Sequence, residues 1–269
     1  MTKQARIFLF STFLITWVLW WLLAVLSLNG VLQFGQIPFM VLYIIGGNGP
    51  LIAAIYTKKV YADKEEYKDF IKQIFKFKIS VLWYLGIVIV LILEGFIKWL
   101  IYSLSQGFSE ALFTLPVYMV PLLLPVMVIG GGLEEVGWRG VLYPEFTKRL
   151  SKTLTSLYIS LFWTLWHLPL WFIKGVPQEN MNFWTFAISV IGMSFLLTVV
   201  YDGTKSIFMC IFFHSLANSY STVLNPLSTN IFIDTSLKLF IAIIVFVTYN
   251  KIMLNKRISR VLLISNFPE

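Results

Sequence analysis

Two adjacent glutamates, Glu134 and Glu135, lie inside an apolar stretch of this chain, and Arg139 follows four residues after the second. A charge in hydrocarbon is costly, so an ionisable residue within an apolar segment indicates a functional site by default. The only two histidines of the chain, His167 and His214, also lie in apolar segments. These few residues are therefore the candidates for chemistry.

The first polar cluster combines a pair of opposite charges with a further carboxylate. Glu135 and Arg139 are four residues apart, so they share one face of a helix and can pair. We expect this ion pair to hold helices together. Glu134 is rotated from Glu135 by about 100° and has no obvious partner within its own helix. Glu134 is therefore the residue of this cluster that we expect to act in chemistry.

His167 lies beside a predicted break in its helix. Pro169 follows two residues later, and a proline lacks the backbone N–H and collides with the carbonyl four residues before it. An interrupted membrane helix is tolerated where it lines a cavity or is buried in protein. The neighbouring tryptophans, Trp163, Trp166 and Trp171, are expected to serve packing rather than chemistry.

His214 and Asn218 form a third polar pair. They are four residues apart, so they lie on one helical face. Such a pair is typical of hydrogen bonds between membrane helices, and it equally suits donors that face a shared cavity. His214 lies nine residues after Lys205, or roughly 14 Å along a regular helix. The sequence leaves both interpretations open.

Glu134 and His167 are predicted to lie at the same depth in the membrane, measured along their helices from the nearest lysines. Glu134 lies 14 residues before Lys148, and His167 lies 15 residues after Lys152. If the helices are regular, both residues lie roughly 21–22 Å from the membrane border that these lysines mark. Antiparallel neighbours would then bring the carboxylate and the imidazole into one pocket, and His214 would reach a similar level if the helices tilt.

A pocket of this kind could hydrolyse an amide without a covalent nucleophile. Glu134 can take a proton from water while His167 holds that water. His214 and Asn218 could donate hydrogen bonds to the oxyanion that develops on the carbonyl. Alternatively, Glu134, His167 and His214 could ligate a divalent metal such as zinc, which would leave an open position for water. The residues themselves do not distinguish a metal-activated from a carboxylate-activated water.

The composition is that of a membrane protein. Of the 269 residues, 58% are hydrophobic and 13% are charged, against about 25% charged in soluble domains. The mean hydropathy is +0.80. Basic residues collect in short polar gaps rather than in a nucleic-acid footprint, so no nucleic-acid partner is expected. The single cysteine, Cys210, excludes an intrachain disulfide and a cysteine-based metal cluster.

We predict an all-α, polytopic protein with a single integral-membrane domain over 1–269. A spanning helix needs about 20 mostly apolar residues. The first apolar segment is too long for a signal peptide, and we expect it to be a retained span. Eight candidate spans meet the length criterion, at about 7–28, 38–57, 80–104, 116–143, 153–174, 183–202, 206–224 and 232–252.

The distribution of positive charge predicts the orientation. Seven lysines lie within 58–78, and the connections on the other side of the membrane almost lack lysine and arginine. This alternation favours a multi-pass protein of the cell membrane with both termini in the cytoplasm. Segment 61–80 has apolar residues on one helical face and is expected to lie on the cytoplasmic membrane surface; a solvated basic linker is the alternative.

Three motifs in order resemble a known family signature. The chain resembles the CPBP family, also called Abi, of CAAX-processing and bacteriocin-processing membrane proteases, whose eukaryotic relatives include the type II CAAX prenyl endopeptidases. The motif core spans about 116–225. The motifs are Glu134-Glu135-x-x-x-Arg139, Trp163-x-x-x-His167 and His214-x-x-x-Asn218.

The resemblance implies an all-helical core of about eight spans and peptide-bond hydrolysis within or near the membrane. It assigns water activation to Glu134 with His167 as partner, and it makes Glu135 and Arg139 supporting residues. His214 and Asn218 are then expected to bind the oxyanion or help hold the water. The family's second motif usually begins with phenylalanine, where this chain has Trp163. Both metal-dependent and metal-free mechanisms are argued for the family, so a metal such as zinc stays open.

Three function classes compete. The preferred one is an endopeptidase that acts on a membrane-associated peptide or protein in the lipid bilayer. The second is a non-catalytic bacteriocin-immunity or membrane peptide-binding protein, which would tolerate Glu134→Gln. The third is a small transporter, for which Glu94 and Lys98 in an apolar segment give mild support; a local ion pair is the simpler explanation of these two residues.

Overall fold

In the computed structural model, residues 1–106, 112–224 and 231–265 are described. Short 3₁₀-helices lie at Gly132–Glu134, Leu168–Phe172 and Pro177–Asn180, and Trp138–Leu142 is π-helical. Within the described ranges there is no β-sheet, so the predicted all-α fold class is confirmed. The α-helices of these ranges are α1 (Lys3–Leu28), α2 (Ile37–Gly47), α3 (Gly49–Tyr61), α4 (Lys64–Ile74), α5 (Val81–Gln106), α6 (Met119–Ile129), α7 (Glu135–Gly137), α8 (Tyr143–Thr147), α9 (Lys152–Trp166), α10 (Phe183–Thr204), α11 (Ile207–Val223) and α12 (Ile231–Ser265).

Length and composition identify the membrane-spanning helices. Helices α1, α5, α10 and α12 each contain a stretch long and apolar enough to cross a membrane. Two bent pairs of helical segments are long enough together: α2 with α3, and α6 with Gly132–Thr147. If each pair is one span, the described residues contain up to six candidate spans. The predicted spans 153–174 and 206–224 form the shorter helices α9 and α11, of 15 and 17 residues. The chain is therefore a multi-pass membrane protein, and the orientation of its termini stays a prediction.

Helix α1 shows the outer surface of such a protein. An exposed apolar stripe runs along the helix at intervals of three and four residues, which is the spacing of one helical face. An apolar stripe of this length needs lipid rather than water as its neighbour. The side chains of the stripe are Phe10, Leu14, Val18, Leu22 and Val25.

The second predicted span is broken, not continuous as 38–57 implied. Helices α2 and α3 meet at 46° on either side of Asn48. Close packing against α1 requires glycine at this point, because a Cβ at Gly46 would lie 2.5 Å from the Trp20 ring and one at Gly49 would lie 2.2 Å from Thr16 Oγ1. The Asn48 side chain donates to the carbonyl oxygen of Ile44 within α2, which helps to hold the bend.

The fourth predicted span, about 116–143, is also broken, so the condition of regular helices does not hold there. Helix α6 ends at Ile129, and the chain then turns by 45° into the segment Gly132–Thr147. Glycine is needed here as well, because a Cβ at Gly132 would lie 2.1 Å from Ser215 Oγ of α11. Asn48 donates a hydrogen bond of 3.1 Å to the carbonyl of Ile129, so the two breaks contact each other. Depth estimates from a regular rise therefore do not apply to Glu134.

The break expected near Pro169 is present. Helix α9 ends at Trp166, His167 is its C-terminal cap, and a 3₁₀-helix follows over Leu168–Phe172. The predicted span 153–174 is shortened for this reason. The predicted motif core ends at residue 225, which lies outside the described residues.

Segment 61–80 contains a helix, α4, but its apolar face packs on the protein. Phe70 is buried, and a Cβ at Gly140 would lie 2.7 Å from its ring. Tyr201 of α10 donates a hydrogen bond of 2.7 Å to Gln73. The solvated-linker alternative was therefore wrong, and the expectation of a membrane-facing apolar side needs correction for Phe70. Phe75, just after the helix, remains exposed.

Candidate active site

A small cavity lies where the two broken spans meet the end of α9. Gly47 and Gly130, one from each break, line it together with Glu134 and His167. The cavity has a volume of about 50 Å³, whereas one water needs roughly 10–15 Å³ by the same kind of measure. The Glu134 and His167 side chains, which the sequence predicted to meet, thus line one cavity large enough for water.

Glu134 is held by a tryptophan from another helix. Its side chain is buried at the end of the 3₁₀-helix, and Oε2 accepts a hydrogen bond of 2.6 Å from Trp163 Nε1. A hydrogen bond to a charged acceptor is about twice as strong as a neutral one. Trp163 therefore fixes the carboxylate that the sequence left without a partner. The expectation that Trp163 serves packing alone needs correction.

His167 is oriented by the main chain of the same tryptophan. Nδ1 lies 2.8 Å from the Trp163 carbonyl oxygen. Because a carbonyl only accepts, Nδ1 carries the hydrogen, and Nε2 of the neutral ring is an acceptor. Trp166 and Phe186 pack edge-on against the imidazole at centroid distances of 4.4 and 4.9 Å. The imidazole is thus held in one tautomer and one orientation.

Glu135 and Arg139 form the predicted ion pair, at 3.1 Å, and both side chains are fully buried. The second carboxylate oxygen of Glu135 lies 3.0 Å from His214 Nδ1. Arg139 also donates to the carbonyl and the hydroxyl oxygen of Ser194 on α10, at 3.1 and 3.2 Å. His214 on α11 and Ser194 on α10 share in compensating these buried charges, whereas Arg139 Nε is buried without a hydrogen-bond partner among the described residues. The pair therefore joins helices and orients His214.

His214 and Asn218 converge on the backbone of Gly131. A Cβ at Gly131 would lie 2.8 Å from Asn218 Nδ2 and 3.4 Å from His214 Nε2. The two side chains do not line the cavity of Glu134 and His167. The His214 ring instead packs edge-on against Trp163, with ring centroids 5.2 Å apart, and Trp163 in turn donates to Glu134. The shared helical face of His214 and Asn218 is present, and it faces the turn that carries Glu134.

The two donors at Gly131 differ in kind. Asn218 Nδ2 donates in every protonation state. Since Glu135 accepts the hydrogen on His214 Nδ1, His214 Nε2 can donate only when the ring is positively charged. An oxyanion beside Gly131 could therefore receive one unconditional hydrogen bond and one that depends on the proton of His214.

A three-ligand metal site does not form from these side chains. Within the described residues, no group of three His, Cys, Asp or Glu side chains could hold a metal ion. Of the set suggested by sequence, Glu134 and His167 face the cavity, while His214 binds Glu135 and faces Gly131. The geometry thus does not fit that ligand set.

Sequence reasoning missed three features of this site. Trp163 was signalled by its departure from the phenylalanine of the family motif. Gly131 carried the signal of a glycine run, Gly130-Gly131-Gly132. Gln178, in the loop after α9, also lines the cavity, and no sequence pattern marked it. By contrast, Glu94 and Lys98 of α5 form the local ion pair expected of them, at 2.8 Å.

Fold and site together define an α-helical membrane protein with a carboxylate and an imidazole at a buried cavity. The family model described as Type II CAAX prenyl endopeptidase Rce1-like matches residues 116–220. All residues of the three motifs lie within this match. A curated relative, CAAX prenyl protease 2 of Methanococcus maripaludis, is 27% identical over 267 residues, covering 94% of this chain and 97% of the relative. Both matches are to type II CAAX endopeptidases or their relatives, so the resemblance that the motifs predicted is confirmed.

Proposed function

We propose that the protein is an intramembrane endopeptidase that hydrolyses a peptide bond of a membrane-associated protein or peptide. The observation that carries this proposal is the shared cavity of Glu134 and His167, in which each side chain is oriented by Trp163. The name of the Methanococcus relative supports the reaction class. It also makes prenylated CAAX peptides the first substrates to test.

The first step is attack by water on the scissile carbonyl. A water in the cavity donates hydrogen bonds to the Glu134 carboxylate and to His167 Nε2, the acceptor that the ring offers. As the water oxygen bonds to the carbonyl carbon, Glu134 takes one of its protons. The carbonyl oxygen becomes the oxyanion of a tetrahedral intermediate. The enzyme forms no covalent bond to the substrate.

The second step is collapse of that intermediate. Asn218, and His214 when charged, donate hydrogen bonds to the oxyanion beside Gly131. The carbon–nitrogen bond then breaks, and Glu134 returns its proton to the departing amine. The products are a carboxylic acid and an amine, and Glu134 is again a carboxylate.

The substitution Glu134→Gln tests this proposal because it keeps the shape of the side chain and removes the base. Purified wild type in detergent is expected to cleave quenched CAAX peptides. Glu134→Gln is expected to lose about 100- to 10,000-fold in kcat, the usual contribution of a general base. Glu94→Gln is the matched control, since Glu94 is also a carboxylate within a span but pairs with Lys98 outside the site.

Full activity of folded Glu134→Gln would refute the mechanism. If folded wild type binds these peptides and cleaves none of them, the immunity or peptide-binding alternative takes its place.

A further inference from the structure

The loop between α9 and α10 presents an amide side chain to the candidate active site. Gln178, in the 3₁₀-helix Pro177–Asn180, lines the same cavity as Glu134 and His167. Its Oε1 atom is buried and has no hydrogen-bond partner within the described residues. A buried carbonyl without a partner is destabilising. A turn of the Gln178 side chain into the cavity that it lines would let this acceptor pair with a donor group of a bound ligand.

The loop that carries Gln178 is held in place by contacts at both ends. Gly175 has a φ of +88°, and a Cβ there would lie 2.7 Å from Phe34, so only glycine fits without strain. Its N–H donates to the Glu179 carboxylate at 2.8 Å. Trp171 Nε1 donates to the Met181 carbonyl at 2.7 Å. Gln178 is thus presented to the cavity by an ordered loop.

We propose that Gln178 is a substrate-binding residue that recognises the polypeptide main chain next to the scissile bond. A carboxamide offers one acceptor and two donors, which matches the N–H and C=O of an extended peptide. Oε1 would accept from a substrate N–H, and Nε2 would donate to a substrate carbonyl. Main-chain recognition requires no particular side chain from the substrate at this position. The inference rests on the proposed peptide-hydrolysing function of the same site.

Binding to the inactive variant tests the inference without requiring cleavage. A fluorescent CAAX peptide is titrated onto Glu134→Gln, and then onto the same protein with Gln178→Leu added. Leucine keeps a similar volume and removes both hydrogen-bonding groups. We expect the Kd to rise at least tenfold. In the otherwise wild-type enzyme, Gln178→Leu is expected to raise KM and leave kcat within about threefold, as for a contact made equally in the ground and transition states.

Asn180→Leu is the matched control, because Asn180 is exposed in the same 3₁₀-helix and does not line the cavity. It is expected to leave both Kd and KM unchanged. Thermal unfolding should show Gln178→Leu at least as stable as its parent, since an unpaired buried carbonyl has been removed. Equal effects of the two leucine substitutions on Kd would overturn the inference.

The outcomes separate this inference from the proposed function. Cleavage by wild type with an unchanged Kd in Gln178→Leu would overturn the role of Gln178 and leave the protease intact. Peptide binding that Gln178→Leu weakens, without any cleavage by wild type, would support Gln178 and overturn the protease. Failure of Glu134→Gln to bind any of the peptides would overturn the inference, and cleavage by wild type would then decide the protease separately.

Discussion

The substitution Trp163→Phe separates a hydrogen bond from the packing of an aromatic ring. It removes the indole N–H that donates to Glu134 Oε2 at 2.6 Å. The phenyl ring can still pack against His214, whose ring centroid lies 5.2 Å from that of Trp163. The carbonyl of residue 163, which orients His167, is unchanged because it belongs to the main chain. The change therefore acts on Glu134 more than on any other site residue.

The expected magnitude follows from the charge on the acceptor. A hydrogen bond to a charged group contributes about 1.5–3 kcal/mol, which corresponds to about 10- to 160-fold in rate. We expect kcat to fall within this range, because Glu134 loses the contact that fixes its carboxylate. KM should change little, since the indole N–H contacts Glu134 and not the substrate. Steady-state kinetics on a quenched peptide measures both quantities.

Trp166→Phe is the matched control in the same helix. Trp166 is also buried, but its Nε1 donates to Thr16 Oγ1, at 2.7 Å, outside the cavity. Losing this neutral hydrogen bond costs about 0.5–1.5 kcal/mol of stability and is expected to lower the melting temperature. Phenylalanine keeps an aromatic ring next to His167, so no specific fall in kcat is expected. An unchanged kcat in folded Trp163→Phe, or equal losses of kcat in both variants, would refute the argument that Trp163 positions the base.

Three further results are expected. Gly131→Ala should lower kcat/KM by about tenfold or more, because the new Cβ would lie 2.8 Å from Asn218 Nδ2 and displace that amide. Gly86→Ala is the control: no atom lies within 4 Å of its Cβ, so kcat/KM should stay unchanged. Arg139→Met should lower the unfolding free energy by about 3–5 kcal/mol, because the buried Glu135 charge loses its arginine partner. Thermal melts with Glu135→Gln added should show less than additive loss. Dialysis against a chelator should leave the cleavage rate unchanged. A cleavage rate that falls on dialysis and returns when zinc is added would contradict the metal-free mechanism.

Local patterns determined the class of the protein and its candidate residues. The membrane class follows from long apolar segments, since 20 or so apolar residues have no other stable environment. The Glu135–Arg139 pair follows from a four-residue spacing, which any helix converts into contact. The interruption at His167 follows from Pro169, whose ring and missing N–H act on its own helix. Each of these features has its cause within a few residues of itself.

Tertiary structure alone decided how these residues meet. The glycines near the two breaks are visible in the sequence, but only the structure shows that Trp20 packs against Gly46 and Ser215 against Gly132, where a larger side chain would not fit. The partner of Glu134, Trp163, is 29 residues away on α9, a separation that no helical periodicity encodes. Gln178 reaches the cavity from the loop between α9 and α10. In such a loop no helical periodicity predicts which side chains face inward. Contacts between elements depend on how whole surfaces fit, and that is why the cavity was found only in the folded chain.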